Sequence, residues 1–384
     1  MRFTNRQVRE NKLILKNNPR AKDLRDVLIT VVLFVLSYAP SPFGFLIYLA
    51  FIPQLHLYTR HKWPMAFLYG YLIGLLVNLI TLYWIFFYAD YGFAIIVTGN
   101  ALQFAFFGGM LSFLHGKNEK LAWFAFPFLW TFLEYARQLG DLAFNWLNIA
   151  YTQSYYLYLL QYVEYTGYLG VVFWICLVNI TLYYVIKTRY RVSAMVRGTL
   201  IIMILFLLPL AVGILKLNET PSAQGISVAY VQPNIDPVVK WERDFLHENL
   251  SMLLRLTDSV MVTQPDLVVW PETAVPYDLR SANDNLNLIT DHVQRYRYHL
   301  LSGAMDQDAA GRYNAAYFFS PADTQFTVYR KLLLVPGAES LAYFPDWMGI
   351  DQSGYLKAGK DPVGFTYSGL LYGLYFNGED WQVS

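Results

Sequence analysis

Six long stretches without Asp, Glu, Lys or Arg dominate the first half of the chain. They are residues 27–59, 63–89, 91–116, 121–133, 165–186 and 198–215. A membrane-spanning helix needs about 20 apolar residues, and the first stretch is long enough for two helices separated by the helix-breaking Ala39-Pro40-Ser41-Pro42. One such stretch could be a buried helix of a soluble protein, but six in succession argue against that. Only 15% of the residues are charged, whereas soluble domains average about a quarter. We therefore predict a multi-pass membrane domain of about seven helices, the weakest being 121–133.

Basic residues predict the orientation of these helices. If the N-terminus is cytoplasmic, the inside segments are 1–25, 60–62, 117–120 and 187–197, and together they contain sixteen Lys and Arg residues. The outside loops before Lys216 contain only Arg137. This asymmetry follows the positive-inside rule. An odd number of spans then predicts that everything after Lys216 lies on the outer face of the membrane.

The remainder of the chain has the pattern of a soluble α/β domain. Residues 225–232 alternate and are rich in β-branched side chains, which predicts a strand, and Asp266–Trp270 predicts a buried one. Helices are predicted over 241–262 and near 282–296, and further strands near 299–304, 314–319 and 326–335. We therefore expect two domains: residues 1–217 with an N-terminal cytoplasmic segment and about seven membrane helices, and residues 218–384 with layered α/β structure.

Charge and cysteine content exclude several classes of function. A net charge of +1 gives no electrostatic surface for nucleic acid. The single cysteine, Cys176, lies in an apolar stretch, so disulfides and CxxC-type metal sites are excluded and the thiol is expected to be a packing residue. We predict no cofactor and no metal. A transporter is disfavoured because the predicted spans contain almost no ionisable groups, and His56 and His115 are expected to be packing residues.

Three residues of the outer domain stand where α/β folds place working groups. Glu272, in Trp270-Pro-Glu-Thr-Ala-Val-Pro276, follows a buried strand directly. Lys331, in Tyr329-Arg-Lys-Leu-Leu-Leu-Val-Pro336, is read as the start of an apolar strand, and Glu339 follows it. Taken singly, each has an ordinary explanation as a loop acid or a surface lysine that extends its ammonium to water.

Together, these segments resemble the nitrilase, or carbon–nitrogen hydrolase, superfamily, and the membrane half narrows the resemblance to the apolipoprotein N-acyltransferase family. The resemblance implies an αββα sandwich with Glu272 as general base, Lys331 as oxyanion stabiliser and Glu339 as a supporting residue. Glu272 and Lys331 are then expected at adjacent strand ends, facing a common cleft. Trp241, beside Lys240, and Trp146, in Phe144–Gln153, resemble substrate-binding positions of the family.

The resemblance also implies a reaction. A phospholipid would donate its acyl chain to a cysteine thiolate, and the N-terminal amine of a diacylglyceryl-cysteine lipoprotein would then attack the thioester. The expected partners are thus a phospholipid donor, a lipoprotein acceptor and the membrane, with no nucleic acid and a monomeric protein. The expected location is the bacterial inner membrane, with the α/β domain on its periplasmic or outer face.

The third family motif, Ile-Cys-Tyr-Glu, departs from the pattern. Aligned on the supporting residue Glu379, the nucleophile position holds Asn377, and Gly378 replaces the aromatic residue. Three explanations stay open: a C-terminally truncated or frameshifted product with an incomplete α/β domain, a degenerate paralogue, or a misalignment. We favour the first. The alternative function is a catalytically inactive, nitrilase-like membrane pseudoenzyme.

Overall fold

The computed structural model describes residues 19–87, 90–139, 144–219, 225–236, 239–322, 325–335, 339–340, 354–367 and 370–373. By its internal contacts the chain divides into two compact units, Met1–Thr220 and Pro221–Ser384, which we call the N-terminal unit and the C-terminal unit.

The described part of the N-terminal unit is helical. Its helices are α1 (Pro19–Ser37), α2 (Ile47–Arg60), α3 (Trp63–Thr81), α4 (Asp90–Lys117), α5 (Glu119–Ala136), the short α6 (Leu157–Leu160), α7 (Val163–Lys187) and α8 (Val192–Leu217). Four of them, α3, α4, α7 and α8, are long and apolar enough to cross a membrane. The other long helices are shorter or more charged, since α2 has 14 residues and α1 begins Pro-Arg-Ala-Lys-Asp. Seven helices coincide with the predicted spans, but the count of seven crossings stays a prediction.

Aromatic rings form the core of this unit. Phe51 of α2 makes edge-to-face contacts with Phe34 of α1 and Trp130 of α5, with ring centroids 5.0 and 4.8 Å apart. Phe107 of α4 meets the same tryptophan at 5.0 Å. Edge-to-face pairs add to the free energy gained by burying the rings, so these contacts hold four helices together.

The C-terminal unit is built on a six-stranded mixed sheet. Its strands are β1 (Val228–Tyr230), β2 (Leu267–Val269), β3 (Val275–Asp278), β4 (His299–Asp308), β5 (Gly311–Phe319) and β6 (Phe326–Arg330). The order is β1-β2-β4-β5-β6, parallel as far as β4 and antiparallel beyond it. β3 pairs with β4 farther along the same edge that β2 uses. A second, two-stranded sheet joins β7 (Gly364–Tyr367) to β8 (Leu370–Gly373).

Two amphipathic helices, α9 (Leu246–Val260) and α10 (Asn283–Tyr296), cover one face of the larger sheet. Their inward residues Leu253 and Ile289 belong to the same buried cluster as Val268, Leu300 and Tyr317 of the strands. The opposite face carries a smaller cluster around Ala316 and Tyr329, with Val363 packed against it. The predicted fold class, a helical membrane domain followed by an α/β domain, is confirmed.

Two details of the predicted fold are wrong. β6 ends at Arg330, so Lys331 follows a strand instead of starting one. The strands that lead to Glu272 and Lys331 are not adjacent, because β4 and β5 lie between β2 and β6. The apolar residues 332–335 suggested that the strand continues, but an apolar run does not by itself define a strand, and Leu333 and Val335 of this segment are exposed.

Candidate active site

Glu272 projects from a tight bulge between β2 and β3. The bulge passes so close to β4 that a Cβ atom on Gly303 would stand 2.5 Å from the Pro271 carbonyl oxygen and 2.7 Å from the Glu272 Cα. Thr273 has a φ of +49°, in the left-handed region that side chains other than glycine disfavour. The backbone conformation at Glu272 therefore requires a glycine at position 303, because a side chain there would collide with the bulge.

Lys331 is the buried cation of the cluster. Its side chain is 1% exposed, and its Nζ lies 3.1 Å from Glu272 Oε1 and 3.0 Å from Glu339 Oε2. Its backbone amide donates to the Asn314 carbonyl, and its own carbonyl accepts from the Gly359 amide, both at 2.8 Å. A lysine can be buried at low cost only with such compensation. The ordinary explanation of Lys331 as a surface lysine is therefore wrong.

Asn314 of β5 forms hydrogen bonds with both carboxylates, although no sequence motif predicted it as a site residue. Its Nδ2 donates to Glu272 Oε1 at 2.6 Å and to Glu339 Oε1 at 2.7 Å. The residue is 1% exposed. A signal was available in the sequence, because Asn314 is a polar residue at a buried position of an otherwise apolar strand, and such residues need a partner.

The two carboxylates differ in exposure and in role within the cluster. Glu339 is 15% exposed, and its Oε2 also accepts a hydrogen bond from the Val335 amide at 2.7 Å. Glu272 is 42% exposed. Both side-chain hydrogen bonds of Glu272 with described residues are accepted by Oε1, which leaves Oε2 available to accept a proton. The arrangement can accept a proton at Glu272 while Lys331 supplies a fixed positive charge.

A second lysine supports the Glu272 bulge from the turn Val239–Trp241. Lys240 Nζ donates to the Glu272 carbonyl at 3.2 Å and to Thr273 Oγ1 at 2.5 Å. Burial lowers the pKa of Lys240, and the nearby Glu272 charge opposes that shift. Trp241, the next residue, is exposed.

The remaining predicted site residues are Trp146, Asn377 and Glu379. Trp146 belongs to the N-terminal unit, where it stacks on Trp84. Asn377 and Glu379 lie outside the described residues. Cys176 is fully buried in α7 of the N-terminal unit. Within the described ranges, no three His, Cys, Asp or Glu side chains are grouped to bind a metal ion.

Comparison with protein families identifies the class of protein to which the cluster of Glu272, Asn314, Lys331 and Glu339 belongs. Residues 227–365, which contain all of it, match the family described as "Carbon-nitrogen hydrolase". A sheet that carries paired Glu and Lys side chains thus places the C-terminal unit in the carbon–nitrogen hydrolase class. Residues 31–181 match "Apolipoprotein N-acyltransferase N-terminal domain". With these two matches in this order, the chain belongs to the apolipoprotein N-acyltransferase family.

Individual relatives agree. The chain is 30% identical over 242 residues to "Apolipoprotein N-acyltransferase" of Chlorobaculum tepidum, covering 57% of this chain and 45% of that protein. It is 29% identical over 336 residues to the protein of the same description from Geobacter metallireducens, covering 82% and 64%. An "Apolipoprotein N-acyltransferase 2" of Treponema denticola is 28% identical over 305 residues, covering 72% and 57%. The chain therefore spans about half to two thirds of the length of these relatives.

Proposed function

We propose that this chain carries the substrate-binding and acid–base site of an apolipoprotein N-acyltransferase. In this proposal a phospholipid is the acyl donor and the amine of a diacylglyceryl-cysteine lipoprotein is the acceptor. The observation that carries the proposal is the buried Lys331 ammonium between Glu272 and Glu339, at 3.1 and 3.0 Å. The family match extends it to lipid substrates.

In this proposal each group of the site has its own task. The ester carbonyl of the donor gains negative charge on its oxygen as a nucleophile adds, and Lys331 stabilises that oxyanion by its fixed charge. Glu272 accepts the proton of the nucleophile at Oε2 and returns it to the leaving group, lysophospholipid. Glu339 and Asn314 keep the Lys331 ammonium and the Glu272 carboxylate in position. The inner membrane, with the α/β domain outside, is the proposed location.

The cysteine nucleophile of the family has no counterpart at its aligned position in this chain. The family uses a cysteine thiolate, whereas Asn377 occupies the aligned position and an amide has no ionisable proton for Glu272 to remove. Cys176 does not substitute in this proposal, because its side chain is fully buried in α7 of the N-terminal unit. This observation favours a second candidate function for the printed chain, namely binding of the lipid substrates without covalent acyl transfer.

One experiment tests both proposals. The full chain is placed in phospholipid nanodiscs with a diacylglyceryl-cysteine peptide, and peptide binding and N-acylated product are both measured. We expect saturable binding and no product. An unlipidated cysteine peptide is the control and should not bind. Absence of binding by the lipidated peptide would contradict the assignment of the acceptor, and N-acylated product would contradict the assignment of Asn377 as a dead nucleophile position.

A further inference from the structure

A buried carboxylate of the N-terminal unit has no part in the acid–base cluster. Glu134, on α5, is 1% exposed. Its Oε1 accepts from the Trp130 indole at 3.2 Å and from the Ile149 backbone amide at 3.4 Å. Its Oε2 accepts from the Arg137 guanidinium at 2.7 Å and from the Asn148 side-chain amide at 3.2 Å. Two of these four donors belong to the loop Phe144–Gln153.

That loop is held in one conformation although much of it is irregular. Leu147 has a φ of +61°, which a branched side chain rarely adopts, and its carbonyl accepts from the Tyr38 hydroxyl at 2.7 Å. Asn148 Oδ1 accepts from the Ala150 amide at 2.9 Å and so begins the 3-10 helix Ile149–Gln153. A backbone strained in this way persists only where its surroundings hold it firmly.

The loop presents an aromatic pair at the surface. Trp146 directly precedes the strained residue, is 39% exposed and stacks on Trp84, with ring centroids 5.0 Å apart and planes 24° apart. Trp84 lies in the 3-10 helix Tyr83–Phe87, whose Phe86 and Phe87 are also exposed. Tryptophans beside exposed apolar rings are typical of contacts with lipid at a membrane interface.

The two oxygens of Glu134 together accept from four donors, two donors at each oxygen. A glutamine would offer one oxygen and turn its own N–H donors towards Arg137 and Asn148. We propose that Glu134 is a positioning residue that fixes the 144–153 loop, and through it the Trp84–Trp146 pair, for contact with the lipid part of the substrate. The lipid contact rests on the proposed function, while the fixing of the loop does not.

Hydrogen exchange in the intact chain tests the first step. With Glu134→Gln, we expect the amides of segment 144–153 to exchange about tenfold faster or more, because a charge-assisted acceptor is lost. The matched control is Glu119→Gln, an exposed acid on the same helix that pairs with Lys187, and it should leave the segment unchanged. Unchanged exchange in Glu134→Gln would overturn the proposal.

A double variant separates positioning from charge balance. Glu134→Gln with Arg137→Met removes the cation that the single change leaves without its partner, so thermal stability should largely recover. Exchange of 144–153 should stay fast, because the Asn148 and Ile149 donors still lack the carboxylate. Recovery of slow exchange would mean that Glu134 serves only to neutralise Arg137, which would overturn the proposal.

Lipid contact has its own measurement. The affinity of the chain in nanodiscs for a diacylglyceryl-cysteine peptide should fall about as much in Glu134→Gln as in Trp146→Ala, by roughly tenfold. An unchanged affinity in both variants would overturn the lipid contact. Failure of the unsubstituted chain to bind the peptide would contradict the proposed function and leave the exchange result standing.

Discussion

Replacing Gly303 by alanine should displace Glu272 through the backbone of the bulge that carries it. The added Cβ would meet three backbone atoms of the bulge at 2.5, 2.6 and 2.7 Å, whereas ordinary contact begins at 3.4 Å. The bulge would therefore have to move by roughly 0.7–0.9 Å, the difference between those distances. A displacement of that size away from Lys331 would stretch its 3.1 Å contact with Glu272 beyond hydrogen-bonding reach. Overpacking of this kind costs about 1–3 kcal/mol.

Thermal unfolding of the purified chain in detergent measures the effect. At about 2–4 °C per kcal/mol for a unit of this size, Gly303→Ala should lower the Tm by several degrees. The control is Gly354→Ala in the same unit, because a Cβ there meets nothing within 4 Å, and its Tm should stay within about 1 °C of the unsubstituted chain. Equal Tm values for the two variants would refute the claim that the bulge rests on position 303.

Three further outcomes are expected. Lys331→Met should destabilise the chain by about 1–3 kcal/mol and lower its Tm by several degrees, because two carboxylates then face each other without the Lys331 ammonium; an unchanged Tm would contradict this. The Arg330 guanidinium lowers the pKa of Asp308 from 3.8 to about 2. The unsubstituted chain should therefore have a higher Tm than Asp308→Asn above about pH 4, and the difference should disappear as the pH falls towards 2. A difference that persists at pH 2 would contradict this prediction. A reporter enzyme fused at position 222 should be active only outside the inner membrane, and cytoplasmic activity would contradict the predicted orientation.

Much of the fold could be predicted because its signals are local. Uncharged stretches long enough for helices predicted α3, α4, α7 and α8, and the helical spacing of apolar residues in 241–262 predicted α9, Leu246–Val260. Sheet order is different, because pairing depends on contacts between distant residues that no local pattern encodes. The placement of β4 and β5 between the strands that lead to Glu272 and Lys331 is such a case.

The candidate site shows the same division. Glu272 and Lys331 could be named because each lies in a distinctive segment, although 59 positions separate them in the chain. Asn314 has no such segment, and its importance follows from two hydrogen bonds that appear only in three dimensions. Glu134 directly follows the uncharged stretch 121–133, and its position in the sequence does not reveal how many donors surround its carboxylate.

The central claim is that the C-terminal unit holds the base and the cation of an acyl-transfer site while position 377 supplies no nucleophile. Intact-mass measurement of the full chain after incubation with phospholipid vesicles tests this claim most directly, since an acyl-enzyme would add the mass of one acyl chain. We expect an unchanged mass, because Asn377 cannot form an acyl-enzyme and Cys176 is fully buried. An acyl adduct on any residue of the chain would contradict it.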